Sequence, residues 1–238
     1  MARAFAAFDI DGTIIRWQLY HAIADSLAKD GILDAEQYAK VRAARMGWKN
    51  RTHDTSFHDY ENTLIHVIDD AITGISVADF TAACEKVIAE YRAQVYTYTR
   101  DLIRELKDQD YLLFAISASQ AQIVSMIAAY YGFDDFGGSE YEVKDGYFTG
   151  KKDVLMSDEK PKFLQKLVKK HGATMKGSIA VGDSESDIPM LSLVEKPIAF
   201  NPTKKLFTHA QEHNWQIVVE RKNMIYRMEP DNGTYTLV

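Results

Sequence analysis

Three short apolar runs, each handing over to polar residues, constrain the fold of this chain more than any other feature. They are Phe5-Ala6-Ala7-Phe8 before Asp9, Leu112-Leu113-Phe114-Ala115-Ile116 before Ser117, and Ile179-Ala180-Val181 before Gly182-Asp183. Runs this short, bounded by turn residues, predict strands buried on both faces, since a half-exposed strand would alternate polar and apolar positions. Amphipathic helical patterns lie between them, at residues 120–131 closed by Gly132 and at residues 158–170 followed by Gly172. Strand and helix in alternation predict an α/β fold, a parallel sheet with helices on both faces. Chemistry in such sheets gathers at the carboxyl ends of the strands, where Asp9, Ser117 and Asp183 fall.

Residues 17–95 follow another pattern. Leu19, Ile23 and Leu27 share one helical face, and Gly31 stops that helix. Further helical patterns run from Ala35 to about Met46 and from Phe57 to Ile72. A fourth opens on Ser76-Val77-Ala78-Asp79, a capping box, and continues to about Tyr91. The expected organisation is a discontinuous core, residues 1–16 and 96–238, carrying an inserted all-α cap domain at residues 17–95. Val143-Lys144-Asp145-Gly146-Tyr147 predicts a hairpin on an Asp-Gly turn. The tail from Trp215 predicts one more sheet strand and then a hairpin near Asp231-Asn232-Gly233.

A formal charge of −6 argues against nucleic acid or an anionic membrane as the main partner. It leaves an anionic substrate open, because a bound metal ion can reverse the field within one cleft. No apolar run approaches the roughly 20 residues that span a bilayer, and the N-terminus lacks a secretory pattern. The single cysteine, Cys84, cannot form an internal disulfide and sits in a helical pattern. It is expected in the core, in keeping with the reducing cytoplasm.

The chemistry starts at Asp9-Ile10-Asp11-Gly12-Thr13, where two carboxylates at a strand end can converge once the chain leaves the extended form. Downstream come Ile116-Ser117, then Glu159-Lys160-Pro161-Lys162-Phe163-Leu164, then Gly182-Asp183-Ser184-Glu185-Ser186-Asp187. In this order and spacing the four segments resemble the motifs of the haloacid dehalogenase-like (HAD) superfamily. The closer resemblance is to its phosphoserine-phosphatase-like branch, whose helical cap lies between the first and second motifs. The resemblance covers about four fifths of the chain and implies a Rossmann-like HAD core acting on a small phosphorylated metabolite with Mg²⁺ as cofactor. It implies that Asp9 is the nucleophile and, with the Asp11 carbonyl and Asp183, a metal ligand. Asp11 would be general acid and base. Ser117 and Lys160 would bind the phosphoryl oxygens, with Ser119 as the alternative to Ser117, and Asp187 would support the site from behind. A phosphotransferase or mutase would use the same residues and differ in whether water or a hydroxyl accepts the phosphoryl group.

The resemblance departs from its pattern in the cap. Gln18 stands where phosphoserine phosphatases use a glutamate, and no arginine aligns within Phe57-His58-Asp59-Tyr60-Glu61-Asn62. Both departures weigh against phosphoserine as substrate. In the fourth motif Ser186 replaces an asparagine common in that branch, a change that keeps a hydrogen-bonding group. Trp17, Gln18, His21 and Tyr60 are the candidate cap contacts to substrate, set against simple packing of the cap. His53 and His58, at i, i+5 with no completing ligand, do not form a zinc site.

Overall fold

A computed structural model describes residues 2–53, 55–231 and 234–237. In its first half the chain runs through β1 (Ala4–Phe8), α1 (Leu19–Lys29), α2 (Ala35–Lys49), α3 (Ser56–Ile72), α4 (Val77–Tyr91), α5 (Thr97–Asp108), β2 (Leu112–Gln120) and α6 (Ala121–Tyr131). The second half runs through β3 (Asp135–Lys144), β4 (Tyr147–Val154), α7 (Met156–His171), β5 (Thr174–Gly182), α8 (Ile188–Leu191), β6 (Lys196–Phe200), α9 (Lys204–Glu212), β7 (Gln216–Arg221), β8 (Met224–Asp231) and β9 (Thr234–Leu237). These elements form two compact units, one of Met1–Arg16, Arg92–Ser139 and Val154–Val238, the other of Trp17–Tyr91 and Glu140–Asp153.

In the first unit, strands follow the order β3-β2-β1-β5-β6-β7-β8-β9. From β3 to β7 neighbouring strands are parallel, while β8 and β9 return antiparallel. β1 lies between two parallel neighbours, and Phe5, Ala6, Ala7 and Phe8 are accordingly all fully buried. Phe8 pairs with Ala115 on one side and Val181 on the other. This register brings the residues that follow each strand out at one edge of the sheet. Strand order also reverses at β1, and such a switch point opens a crevice at the carboxyl ends. The core below the edge includes Phe5 and Phe114, stacked with ring centroids 5.7 Å apart, together with Leu164, Leu167, Met190 and Leu206.

Several boundaries differ from the sequence expectation. β2 runs on to Gln120, with a register shift after Ile116, so Ser117 lies inside the strand rather than after it. α7 starts at Met156, about one turn before Lys160. β6 is absent from the sequence pattern, because Pro197 at its second position disguises a strand that pairs on both sides. The tail follows its expectation, β7 and then the antiparallel pair β8 and β9, while Asn232 and Gly233 lie outside the described residues.

The N-terminus of α5 has no cap of its own, since Tyr96 makes no side-chain bond there. Glu220 of β7 supplies one from the other end of the chain. Its carboxylate accepts from the N–H groups of Thr97 at 3.1 Å and Tyr98 at 2.8 Å, and it pairs with Arg16. A buried anion at a helix N-terminus meets both unpaired donors and the favourable end of the dipole. Burial alone would raise the Glu220 pKa, but the two backbone N–H groups and Arg16 lower it below the ordinary range. A lowered acid pKa contributes stability above the unfolded value, lost as pH falls through the folded one. Glu220→Gln is therefore expected to cost about 1.5–3 kcal/mol at neutral pH. In urea melts the gap to wild type should narrow as the solution is acidified below the ordinary carboxylate range.

The second unit is four helices, α1 to α4, with β4 and the far half of β3. Asp145 and Gly146 turn this hairpin at φ 51° and 82°, as the Asp-Gly signal predicts. The expected division puts the hairpin with the core, yet its partners are helical. The Val77 N–H donates to the Gly146 carbonyl at 2.9 Å, the Gly74 N–H donates to that of Phe148 at 2.9 Å, and Phe80 meets Phe148 edge-on at 5.3 Å. A local turn signal says nothing of what the hairpin packs against. At the start of α4, the Asp79 N–H donates to Ser76 Oγ at 3.0 Å. Cys84 is fully buried in this unit, and burial pushes its thiol up to about 12. Among the described residues no helix is long and apolar enough to cross a membrane.

Candidate active site

After Phe8 the chain leaves the strand through a tight turn in which the N–H of Ile14 returns to the Ile10 carbonyl at 2.9 Å. The turn depends on Gly12, at φ +73°, where an added Cβ would lie 2.1 Å from Asp183 Oδ2. Asp9 remains aligned with the sheet, its N–H bonded to the Val181 carbonyl at 2.9 Å. Asp9 is 5% exposed, Asp187 and Ser117 are fully buried, and Lys160 is 1% exposed.

Lys160 organises the carboxylates. Its ammonium donates to Asp9 Oδ1 at 2.7 Å and to Asp187 Oδ1 at 2.5 Å. The other Asp187 oxygen accepts from the backbone N–H groups of Asp183 and Ser184, each at 3.1 Å, and from Ser184 Oγ at 3.2 Å. Asp187 can fold back this far because residue 182 is glycine, where a Cβ would sit 2.6 Å from the Asp187 carboxyl carbon. With both oxygens engaged, Asp187 fixes Lys160 and the loop that carries Asp183.

Electrostatics follow from this burial. Desolvation raises the Asp9 pKa to about 7; Lys160 opposes the rise, while Asp187 and Asp11 add to it. Burial works against the Lys160 charge, but Asp187 and then Asp9 outweigh it and hold the lysine above its ordinary range. Lys151, Lys152 and Lys162, near it in sequence, go elsewhere, to Glu142, Asp69 and Glu159.

Asp11 takes a separate pair of donors. Its Oδ2 accepts from Ser117 Oγ at 3.0 Å and Ser119 Oγ at 2.9 Å, and the Ser119 N–H in turn donates to Ser117 Oγ at 3.0 Å. Both hydroxyls thus bond the same Asp11 oxygen. Sequence reasoning missed the part played by Ser184, although Ser-x-x-Asp over residues 184–187 is a capping-box signal, and both of its bonds are present. Ser186 bonds the Ser184 hydroxyl at 2.9 Å.

Asp9, Asp183 and Asp187 each place a carboxylate oxygen within 4.8 Å of the others. Carboxylates at this spacing suit a hard, oxygen-seeking divalent cation, and the bare Cα of Gly12 leaves room for Asp183 to join them.

The four cap candidates lie in the helical unit. Trp17 packs on Tyr91 with centroids 5.2 Å apart, and Gln18 donates its amide to Glu61 at 3.1 Å. His21 is 7% exposed, 3.4 Å from Asp25, and burial lowers its pKa. Tyr60, 1% exposed, stacks on Trp48 at 5.2 Å and belongs to the interior of that unit. His53 and His58 bond separately, to Thr55 at 3.2 Å and Asn62 at 3.0 Å.

A switch-point crevice of a parallel α/β sheet, lined by an Asp-x-Asp turn, a buried lysine and a Gly-Asp loop, defines a class of hydrolase core. The family model for haloacid dehalogenase-like hydrolases matches residues 6–192, and the chain belongs to that family. It is 32% identical over 149 residues to a phosphoserine phosphatase of Mycobacterium tuberculosis, covering 61% of this chain and 48% of that protein. The chain thus spans about half the length of the first relatives it matches. Over 228 residues it is 24% identical to a histidinol-phosphatase of Neisseria meningitidis serogroup C, covering 90% of this chain and 97% of that one. Among solved structures, a phospho-aspartyl intermediate analogue of phosphoserine phosphatase superposes with a TM-score of 0.63 at 20% identity, covering 93% of this chain and 95% of the other. At that identity the likeness is one of fold.

Proposed function

We propose that this chain is a Mg²⁺-dependent phosphatase that hydrolyses a small phosphomonoester through a phospho-aspartate on Asp9. The observation that carries the reading is the buried Lys160 held between Asp9 and Asp187, beside the carboxylate of Asp183. A phosphate monoester dianion repels a carboxylate, so positive charge must be waiting where they meet. Mg²⁺ held by Asp9, Asp183 and the Asp11 carbonyl supplies much of that charge when bound.

The remaining work falls to the chain's own groups. Lys160 fixes the Asp9 carboxylate through Oδ1 and has a third N–H to offer a phosphoryl oxygen. Ser117 and Ser119, whose hydroxyls hold Asp11 in the free site, would turn those protons to the phosphoryl oxygens when substrate binds. An Asp9 oxygen attacks phosphorus as the ester P–O bond breaks, and Asp11 gives its proton to the departing alkoxide. Asp11 then takes a proton from water, which attacks phosphorus, breaks the Asp9–phosphorus linkage and releases inorganic phosphate. Gln18 is bonded to Glu61, while Arg45 and Lys49 bring positive charge close to His21. The glutamine at position 18, where phosphoserine phosphatases use a glutamate, favours a substrate other than phosphoserine.

The test is release of p-nitrophenol from p-nitrophenyl phosphate with Mg²⁺ and with EDTA, followed by a panel that includes phosphoserine and histidinol phosphate. Turnover that EDTA removes and Mg²⁺ restores is expected. If neither turnover nor binding of beryllium fluoride with Mg²⁺ is seen, the reading fails. The close approach at Gly12 gives a sharper check. Gly12→Ala forces Asp183 aside and is expected to raise the Mg²⁺ concentration for half-maximal turnover on the order of tenfold or more. An unchanged value would count against Asp183 as a metal ligand.

A further inference from the structure

A second constellation lies at the end of α9, with no part in the chemistry above. His209, Glu212 and His213 form His-x-x-Glu-His, and each places a ligand atom within 4.8 Å of the other two. The two imidazoles are neighbours at i, i+4 on one helix face, with centroids 3.9 Å apart; their planes lie 20° apart, so sharing an ion requires one ring to turn about its side-chain bonds. His213 Nδ1 lies 2.9 Å from the His209 carbonyl. A carbonyl only accepts, so Nδ1 carries a proton and Nε2 is left as the nitrogen that can take a metal. This is the backbone support that metal-binding histidines use to set tautomer and ring direction. His209 Nε2 is buried and has no hydrogen-bond partner among the described residues. The cluster also sits at the C-terminal end of its helix, with Glu212 last and His213 capping, where the dipole and unpaired carbonyls favour a cation.

From these residues we infer a binding site for a divalent transition-metal ion of the Zn²⁺ class, held by one nitrogen from each histidine and a Glu212 oxygen. Two imidazoles and one carboxylate suit Zn²⁺, Co²⁺ or Ni²⁺ far better than Mg²⁺, and three protein ligands leave a coordination position for water. The site is tied to the sheet. His209 packs edge-on against Trp215 at 4.7 Å, and the Tyr235 hydroxyl donates to the carbonyls of Ala210 at 2.8 Å and Trp215 at 2.7 Å. Bound metal would therefore clip the last turn of α9, the turn that packs against Trp215 just ahead of β7.

The experiment is calorimetric titration of the full chain with Zn²⁺ in saturating Mg²⁺, which fills the acidic site first, alongside Co²⁺ titration followed by visible absorbance. One equivalent is expected to bind, with Co²⁺ bands of a nitrogen-containing low-coordinate site and a rise in Tm. Glu212→Gln with His213→Gln changes two exposed side chains, and its affinity should fall on the order of a hundredfold. Asp183→Asn should leave the equivalent intact. Unaltered binding in the double variant, or loss of the equivalent in Asp183→Asn, would overturn the assignment. So would a wild-type chain that binds no Zn²⁺ at millimolar concentration.

Discussion

Asp9→Asn is expected to lower turnover of p-nitrophenyl phosphate by about 10³-fold or more while the chain still folds. Asparagine keeps the shape of the side chain and an oxygen that can accept from Lys160, but it has no anionic oxygen to attack phosphorus. Residual activity within tenfold of wild type would remove Asp9 as the nucleophile. The same variant reports on the electrostatics. Without metal, burial raises the Asp9 pKa from 3.8 to about 7, with Lys160 opposing. A folded pKa above the unfolded one contributes stability that is full at low pH and lost as pH rises through the folded value. The substituted amide has no such titration. In EDTA, urea midpoints of the variant should therefore gain on those of wild type as pH rises towards and through about 7. Parallel midpoints across that range would contradict the buried placement of the carboxylate.

Lys160→Met should have the largest effect on stability. Removing one partner of a buried ionic group leaves the others uncompensated, at a cost of about 3–5 kcal/mol. Here two carboxylates, Asp9 and Asp187, lose their shared cation at once. For a chain of this size the cost corresponds to a fall in Tm of roughly 10 °C. The deficit should shrink on acidification, because Asp9, without the lysine, takes up a proton still more readily. Lys162→Met is the control. Its side chain is 73% exposed and its pair with Glu159 lies on the surface, so a change within about 0.5 kcal/mol is expected. Equal small effects at both positions would show that the buried network is not formed.

The sites of these predictions differ in how far they can be read without coordinates. Asp9, Asp11 and Asp183 announce themselves as candidates, because a short apolar run ending in acids states both a buried strand and its carboxyl end within a few residues. Lys160 could be chosen among its neighbours only by an expected helix start and its distance to Asp183, and the helix in fact starts at Met156. Burial and a pairing across 151 residues then set it apart from Lys151, Lys152 and Lys162. The joint hold of Ser117 and Ser119 on Asp11 depends on β2 continuing past Ile116 with a shifted register, and the strand pattern does not encode that shift.

Local signals therefore determined the strands that carry the site, most of the helices, the Asp-Gly turn and the family motifs, since each depends on residues close along the chain. Tertiary structure alone decided where separate segments meet. It placed β1 between β2 and β5, gave the 140–153 hairpin to the helical unit, and brought Glu220 to the open end of α5. It also closed Lys160 between Asp9 and Asp187. The physical reason is the same in each case. Periodicity and turn chemistry state which face of an element must be buried, but not which distant surface buries it or which distant donor satisfies its unpaired groups.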